Sequence, residues 1–391
     1  MSRFIRAALV ILVLLVVAGL GIFFFVAPQM VERSMNPVGA SPPYEVSDEA
    51  RRLHETLTVA DLHADSLLWG RDLVEKGDRG HVDIPRLIEG NVAVQMFTLV
   101  SKTPQGLNIE RNDDTTDNVF WLAVGQRWPL RTWFSLKERA LYQAERLHDM
   151  AARSDGRFVI VKSKADLAAF LERRRSEPGI VAGVLGIEGA QVLEGDPANV
   201  DVMFEAGYRM MSPTHFFDNA MAGSAHGIEK GGLTEAGREM IRRMEAVGMI
   251  VDISHGSVPQ IDDVLVMAKR PVVVSHTGVR GTCDNNRNLS DDQLRAIAAN
   301  GGLVGVGFWQ TAICGNDAAA IARAQRYVAD LIGAEHVGLG SDFDGAVGVP
   351  FDASGTGLLT EALLAEGMAE PDIARVMGGN QIRLLLELLP D

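Results

Sequence analysis

Short runs of apolar residues recur along this chain, and amphipathic segments of helical length separate them. Most of the runs are continuous rather than alternating, which is typical of strands that are buried on both faces of a parallel sheet. The runs cover residues 57–60, 92–100, 180–187, 208–211, 249–253, 271–274, 303–308 and 337–340. Strands that alternate with helices in this way predict an α/β protein with a (β/α)8 TIM-type barrel.

A doubly wound open sheet is the alternative fold for the same alternation of strands and helices. Such a sheet binds its ligands at one switch point, often through a glycine-rich turn, and no dinucleotide or phosphate-binding motif follows any of the runs. The 47% of hydrophobic residues suffices for a large core, and the 40 glycines suit a chain with many tight turns. We therefore expect the barrel to occupy residues 48–391.

A long apolar segment precedes the predicted barrel. Residues 7–27 carry no charged or strongly polar side chain, and a helix of this length spans a hydrocarbon core of about 30 Å. Arg3 and Arg6 favour a cytoplasmic location for the short segment 1–6. A cleaved signal peptide is the alternative, although its apolar core is usually shorter. We expect a transmembrane signal anchor at 7–27, a proline-containing linker at 28–47 and an extracytoplasmic domain, periplasmic or extracellular.

Charge and cysteine content limit the partners and the covalent structure. The formal net charge of −14 and a pI near 5.1 argue against nucleic acid as a partner. Cys283 and Cys314 are too few for a disulfide framework. The sequence leaves open whether these two cysteines form one bridge or remain two separate thiols.

Side chains of metal-binding type stand at the ends of several predicted strands. His63 and Asp65 follow the first run two residues apart, so both side chains can share one face of an extended chain. Later strand ends carry Glu188, His215, His255, His276 and Asp342. Because the carboxyl ends of barrel strands meet at one rim, we expect these side chains to lie close together.

The residue types at these strand ends predict a site for two metal ions. Imidazole and carboxylate ligands without thiolates suit zinc, and manganese or iron less strongly. The set is too large for one tetrahedral ion, whereas the two carboxylate oxygens of Glu188 can each bind one of two ions. Two ions about 3.5–4 Å apart can activate a water molecule for hydrolysis at neutral pH.

The segments around these side chains resemble the zinc-dependent membrane (renal-type) dipeptidases, a family of amidohydrolase-like barrels. The matching motifs are Asp61-Leu62-His63-Ala64-Asp65, Gly186-Ile187-Glu188-Gly189-Ala190, Leu233-Thr234-Glu235-Ala236-Gly237-Arg238 through Val251-Asp252-Ile253-Ser254-His255, Ser275-His276, Asn286-Arg287-Asn288, Gly340-Ser341-Asp342-Phe343-Asp344-Gly345 and Gly378-Gly379-Asn380. Their order and spacing agree with the family from about Val59 to Leu386. The resemblance implies a metallopeptidase that hydrolyses dipeptides and holds two zinc ions per chain.

The resemblance also implies which side chains bind each zinc ion. One ion would be bound by His63, Asp65 and Glu188, and the other by Glu188, His255 and His276. A hydroxide between the two ions would attack the carbonyl of the dipeptide.

Further roles follow from the same resemblance. His215 would stabilise the oxyanion of the tetrahedral intermediate, and Arg287 would bind the free carboxylate of the substrate. Asp342 would bind the free amine and transfer a proton to the leaving nitrogen, with Asp344 as a neighbour able to replace it. Asp61 is expected to orient a ligand such as His63 rather than to bind metal.

Two other functions stay open at this point. A related amidohydrolase would act on another amide or a lactone. In many of those enzymes the first strand ends in His-x-His and a modified lysine bridges the metal ions, whereas this chain has His63 and Asp65 in the first pair and Glu188 as the candidate bridge. A catalytically inactive, membrane-tethered binding protein would be expected to have lost ligands, and all of them are present. The resemblance leaves open a homodimer and the range of dipeptides, including those with a C-terminal D-residue.

Overall fold

The computed structural model describes residues 3–391; Met1 and Ser2, which begin the expected cytoplasmic segment, lie outside the described residues. The strands are β1 (Val59–Ala64), β2 (Val92–Val100), β3 (Phe158–Ile160), β4 (Val181–Glu188), β5 (Tyr208–Met211), β6 (Ile250–Val251), β7 (Val273–Thr277), β8 (Leu303–Val306) and β9 (Val337–Leu339). Each apolar run that the sequence marked as a strand contributes to one of them. Both β2 and β4 are buried along their whole length, as continuous apolar runs predict.

The strands form one parallel sheet in the order β6-β5-β4-β2-β1-β9-β8-β7, and β3 pairs with β4. A parallel bridge between Asp252 and Val273 joins the two ends of this order, and the Ile253 N–H donates to the Val273 carbonyl at 2.8 Å. The architecture is an α/β fold consistent with the TIM type. Because the strands all run in the same direction, their carboxyl ends lie at one rim of the sheet.

Helices surround the sheet and precede it. Their bounds are α1 (Arg3–Phe25), α2 (Ala27–Met35), α3 (Asp48–Thr56), α4 (Ile84–Glu89), α5 (Asn118–Gly125), α6 (Leu136–Arg153), α7 (Lys164–Ser176), α8 (Asn199–Glu205), α9 (Glu235–Val247), α10 (Val258–Met267), α11 (Asp291–Ala299), α12 (Gln310–Ile313), α13 (Ala318–Ile332), α14 (Gly357–Ala365), α15 (Glu370–Ala374) and α16 (Asn380–Leu388). Side-chain caps begin several of them. Thr234, for example, accepts a hydrogen bond from the Gly237 N–H at the start of α9, and Gly248 ends that helix with a φ of +81°.

The first helix, α1, contains the apolar segment that the sequence analysis expected to be an anchor. It has 23 residues, none of them is buried, and its length and composition suffice to cross a membrane. A signal sequence close to the N-terminus has the same properties.

The segment 28–47 differs from the linker that its prolines predicted. It contains most of α2, and Glu32 on that helix is only 1% exposed. Both Arg71 and Arg79 donate to the Glu32 carboxylate, the latter at 2.7 Å. The Ala346 N–H donates to Asn36 Oδ1 at 3.0 Å. This segment therefore packs on the domain, because polar groups distant in sequence hold it there.

Candidate metal centre

The seven side chains that the sequence placed at strand ends come together at the carboxyl rim of the sheet. All of them are buried, and they come from six different strands or the loops that follow them: His63, Asp65, Glu188, His215, His255, His276 and Asp342. His63, Glu188 and His276 lie within strands, and the other four follow a strand by a few residues. The predicted convergence is therefore observed, although the metal and catalytic roles of these residues remain proposals.

The carboxylate of Glu188 lies at the centre of the cluster. Its Oε1 atom is 2.9 Å from His255 Nε2, 3.3 Å from His276 Nε2 and 3.6 Å from His63 Nε2. Its Oε2 atom is 3.2 Å from His215 Nε2. Four imidazole Nε2 atoms thus point at the two oxygens of one carboxylate.

Two further carboxylates, those of Asp65 and Asp342, lie close to the His63 ring. The His63 Nε2 atom is 3.5 Å from Asp65 Oδ1 and 4.0 Å from Asp342 Oδ1. Candidate ligand atoms within 4.8 Å of one another form three overlapping groups: His63, Glu188 and His276; Glu188, His215 and His255; and His63, Asp65 and Asp342. The distances alone therefore do not separate the expected zinc ligands from His215 and Asp342, which were expected to contact substrate.

Hydrogen bonds behind the rings fix the direction of two imidazoles. Ser275 Oγ is 2.9 Å from His63 Nδ1 and 3.1 Å from His276 Nδ1. The same hydroxyl donates to Asp252 Oδ2 at 2.6 Å, so its lone pairs are free to accept from the ring N–H groups. This arrangement leaves the Nε2 lone pairs available at the centre of the cluster. No periodic pattern marks Asp252 as the residue that holds Ser275, and through it these rings.

Asp61 has a different partner from the one that the sequence predicted. Its carboxylate accepts hydrogen bonds from Gln95 Nε2 at 2.7 Å and from the Ser341 N–H and hydroxyl at 2.8 and 2.7 Å. No hydrogen bond joins it to the His63 ring among the described residues. Since Ser341 directly precedes Asp342, Asp61 holds the loop that carries Asp342.

Asp344, the neighbour that could have replaced Asp342, belongs to a separate buried network. Its carboxylate accepts from Arg71 at 2.5 Å, from the Ser66 hydroxyl at 2.6 Å and from the His81 N–H at 2.6 Å. It is absent from the ligand groups found among the described residues. This network connects the loop after β9 to helix α2 through Arg71.

Burial shifts the pKa values of most groups in the cluster, whereas at His63 its lowering effect is outweighed by Asp65 and Glu188, which raise the pKa of that imidazole to about 10. Burial raises the pKa of Glu188 well above its ordinary value and that of Asp342 to about 8. It lowers the pKa values of three imidazoles well below their ordinary range, namely those of His215, His255 and His276. Buried carboxylates that resist ionisation and imidazoles that stay neutral are the environment in which a cation is stabilised.

This donor set fits divalent metal ions. The Nε2 atom of His63 is buried and has no hydrogen-bond partner, although it lies among three carboxylates. A metal cation at this point would take the place of the proton that these carboxylates favour on the ring and would neutralise the surrounding charge. The residues present therefore fit a metal centre built from nitrogen and oxygen ligands.

Arg287 supplies a positive charge beside the cluster. It is 7% exposed, and one terminal nitrogen donates to the His276 carbonyl at 2.8 Å. Within residues 3–391, no carboxylate forms an ion pair with this guanidinium. Asp342 and Glu188 attract this guanidinium only from beyond direct contact, so its N–H groups are suited to bind the carboxylate of a ligand.

A disulfide supports the loop that carries Arg287. Cys283 and Cys314 are bonded to each other, which answers the question that the sequence left open. Asn288 donates to the Cys283 carbonyl at 2.7 Å and to the Ala312 carbonyl at 3.0 Å. The bridge and these hydrogen bonds hold the loop after β7 against the segment around α12.

The cluster opens into a cavity of about 560 Å³, which Arg287 also lines. His226, which the sequence analysis did not single out, lines it as well. Its Nδ1 atom is 2.7 Å from the Ile109 carbonyl, and its buried Nε2 atom has no partner. The residue lies in the long loop after β5, where no strand end or periodic pattern marks it. The fold and this site together define a metal-dependent hydrolase with a parallel, TIM-like sheet.

Comparisons with known proteins identify the family. The profile of the membrane dipeptidases, peptidase family M19, matches residues 47–388. Dipeptidase aclJ of Aspergillus oryzae is 30% identical over 316 residues, covering 78% of this chain and 69% of that protein. Dipeptidase verJ of Clonostachys rogersoniana is 29% identical over 325 residues, covering 78% and 82%.

A solved structure agrees with the sequence relatives. It is a metallopeptidase from Rhodobacter sphaeroides with a phosphinate mimic of the dipeptide L-Ala-D-Ala, and it is 25% identical with a TM-score of 0.69. The match covers 85% of this chain and 99% of that one. The chain belongs to the membrane dipeptidase family, and it is a metallo-dipeptidase.

Proposed function

We propose that this protein is a dinuclear zinc dipeptidase. The observation that carries the proposal is the position of Glu188, whose two carboxylate oxygens face four imidazoles, with the buried Arg287 beside the cluster. One zinc ion would be held by His63, Asp65 and Glu188, and the other by Glu188, His255 and His276. When bound, the two ions would polarise the peptide carbonyl and supply an activated water.

The surrounding side chains would orient the substrate and move its proton. Arg287 would bind the C-terminal carboxylate, and His215 would stabilise the negative charge that develops on the carbonyl oxygen. Asp342 would bind the free amine and deliver a proton to the leaving nitrogen. Burial raises the pKa of this carboxyl to about 8 in the protein alone, which favours its protonated form near neutral pH.

Recognition of both ends would restrict the enzyme to dipeptides. A longer peptide could not place its amine at Asp342 and its carboxylate at Arg287 while its scissile bond lies at Glu188. The Rhodobacter sphaeroides relative holds a mimic of L-Ala-D-Ala, which supports the inclusion of dipeptides with a C-terminal D-residue.

The same proposal includes the location of the protein. The unburied apolar helix α1 would cross the membrane, with Arg3 and Arg6 on the cytoplasmic side. The disulfide between Cys283 and Cys314 suits an oxidising compartment outside the cytoplasm. The domain that begins at residue 48 would form a closed (β/α)8 barrel at the membrane surface, and a homodimer stays a prediction.

The test of this function uses the full-length protein in detergent, with metal content and hydrolysis measured together. We expect two zinc ions per chain and cleavage of L-Ala-L-Ala and L-Ala-D-Ala, but not of trialanine or N-acetyl-L-Ala-L-Ala. Fewer than two ions per chain, or no cleavage of any dipeptide after zinc is restored, would contradict the proposal.

Replacement of Arg287 by alanine should raise KM about 10- to 100-fold, the effect of losing one or two charge-assisted hydrogen bonds. Metal content should not change, because Arg287 is not among the proposed ligands. The variant should also lose most of the wild-type preference for L-Ala-L-Ala over L-Ala-L-Ala amide. The control is Arg295→Ala, an exposed arginine on α11, which should behave like wild type. Equal KM values for Arg287→Ala and wild type would exclude the assigned role.

A further inference from the structure

The cavity that contains the metal centre has both polar and apolar walls. Its lining includes the metal-type ligands and Arg287 together with many apolar side chains. Part of that wall comes from the N-terminal helices: Phe23 of α1 and Val31 and Met35 of α2 line the cavity. Leu107 and, on α5, Trp121 also line it.

The apolar wall is partly open to solvent in the protein as it stands. The exposed fractions are 41% for Val31, 43% for Met35, 42% for Leu107 and 63% for Trp121. Large apolar side chains that line a cavity and remain accessible are suited to bind an apolar ligand group. Because the same cavity contains the catalytic cluster, that group would belong to the substrate.

Helix α2 is a fixed part of this wall. Glu32 on its buried side receives hydrogen bonds from Arg71 and Arg79, and Asn36 just after the helix accepts from the Ala346 N–H. Close packing also joins the N-terminal helices to α5, since a Cβ atom at Gly125 would lie 3.3 Å from the ring of Pro28. The position of Val31 and Met35 at the cavity is therefore set by contacts within the domain.

We propose that Phe23, Val31, Met35, Leu107 and Trp121 form a subsite for an apolar group of the substrate. This inference rests on the proposed function and narrows its substrate class to dipeptides with a long alkyl or aromatic side chain. Since α1 ends at Phe25 and is the proposed anchor, the subsite lies where the chain leaves the membrane. Amphiphilic dipeptides that collect at the membrane surface would have direct access to it.

The experiment measures kcat/KM for the full-length protein in phospholipid nanodiscs. Two series start from L-Ala-L-Ala and replace either the first or the second alanine by 2-aminohexanoic or 2-aminooctanoic acid. In one of the series, kcat/KM should rise by up to roughly fourfold for each methylene that becomes buried. Cleavage of L-Ala-L-Ala with no rise in either series would overturn this inference and leave the proposed function intact, whereas no cleavage of any dipeptide would contradict the function itself.

Variants on two different elements test the assigned residues. Met35→Ser on α2 and Trp121→Ser on α5 should each lower the ratio of kcat/KM for the longest substrate to that for L-Ala-L-Ala by at least about fivefold. Phe134→Ser is the matched control, because Phe134 is an 89% exposed aromatic residue near α5 that does not line the cavity. A chain-length preference that both cavity variants retain would place the apolar group elsewhere and overturn the proposal.

Discussion

Glu188→Gln should remove both of the proposed metal ions and lower kcat/KM for dipeptides by about 10³-fold or more, since metal catalysis supplies several kcal/mol of transition-state stabilisation. The carboxylate lies between His255, His276 and His63 on one oxygen and His215 on the other. A glutamine has the same shape but offers one neutral oxygen in place of two charged ones. Metal content by elemental analysis and hydrolysis of L-Ala-L-Ala are the two measurements.

The stability of the metal-free variant separates loss of metal from loss of the fold. Burial raises the pKa of Glu188 well above its ordinary value, so the metal-free wild type already disfavours a charged side chain at this position. The unfolding midpoint of metal-free Glu188→Gln should therefore be no lower than that of metal-free wild type. The control is Glu172→Gln, whose side chain is exposed on α7 and should keep both ions. Retention of two ions by Glu188→Gln would exclude the bridging role.

The strands and the members of the site were predictable from sequence because their signals are local. A continuous apolar run specifies a strand buried on both faces, and a parallel sheet brings the polar residues at the carboxyl ends to one rim. Thus the pattern predicts that His63 and Glu188, 125 positions apart, lie together, and their side chains are 3.6 Å apart.

The contacts that support the site were not predictable, because they depend on the paths of loops. Asp61 contacts Ser341, which lies 280 residues away, and no pattern in the sequence selects that partner over the His63 ring. The Asp252 carboxylate is a second example, since it accepts from the backbone N–H of Ser275 on β7 as well as from that of its neighbour Ser254.

The contacts of the N-terminal segment were also not predictable from sequence, and they affect where an experimental fragment should begin. The prolines after α2 indicate where regular structure ends, but they carry no information about the ionic contacts of Glu32. Because these contacts tie α2 to Arg71, and Arg71 to Asp344, a fragment that begins at Pro43 would lack one side of a buried network. Experiments on this enzyme should therefore retain the chain from α2 onward.

Asp344→Asn should lower the free energy of unfolding by about 3 kcal/mol, because it leaves the buried Arg71 with one carboxylate fewer. In the wild type, Arg71 donates to both Glu32 and Asp344. Asp344 also accepts from the Ser66 hydroxyl and lies two residues after Asp342, so the substitution should reduce dipeptide hydrolysis as well. Denaturant titration of the full-length protein in detergent measures the first effect.

The pH dependence of the lost unfolding free energy in Asp344→Asn distinguishes an ionic contribution from a packing defect. Burial alone would raise the pKa of Asp344, but Arg71 and His81 together hold it below the ordinary value. The ionised carboxylate therefore contributes stability above its unfolded pKa of about 4, and this contribution is lost as the pH falls through the lower folded pKa. The difference in the free energy of unfolding between wild type and Asp344→Asn should have its full size at pH 7 and should shrink below about pH 4.

The matched control for this substitution is Asp330→Asn, which removes an aspartate that is also paired with an arginine but lies on the surface. The Asp330–Arg326 pair is 2.8 Å long, and the aspartate side chain is 61% exposed, so its loss should cost less than about 1 kcal/mol. If Asp344→Asn cost no more than Asp330→Asn, the network would not be what fixes α2 and the loop after β9. A large, pH-dependent loss of unfolding free energy confined to Asp344→Asn would instead show that the contacts of α2 contribute to the stability of the catalytic domain.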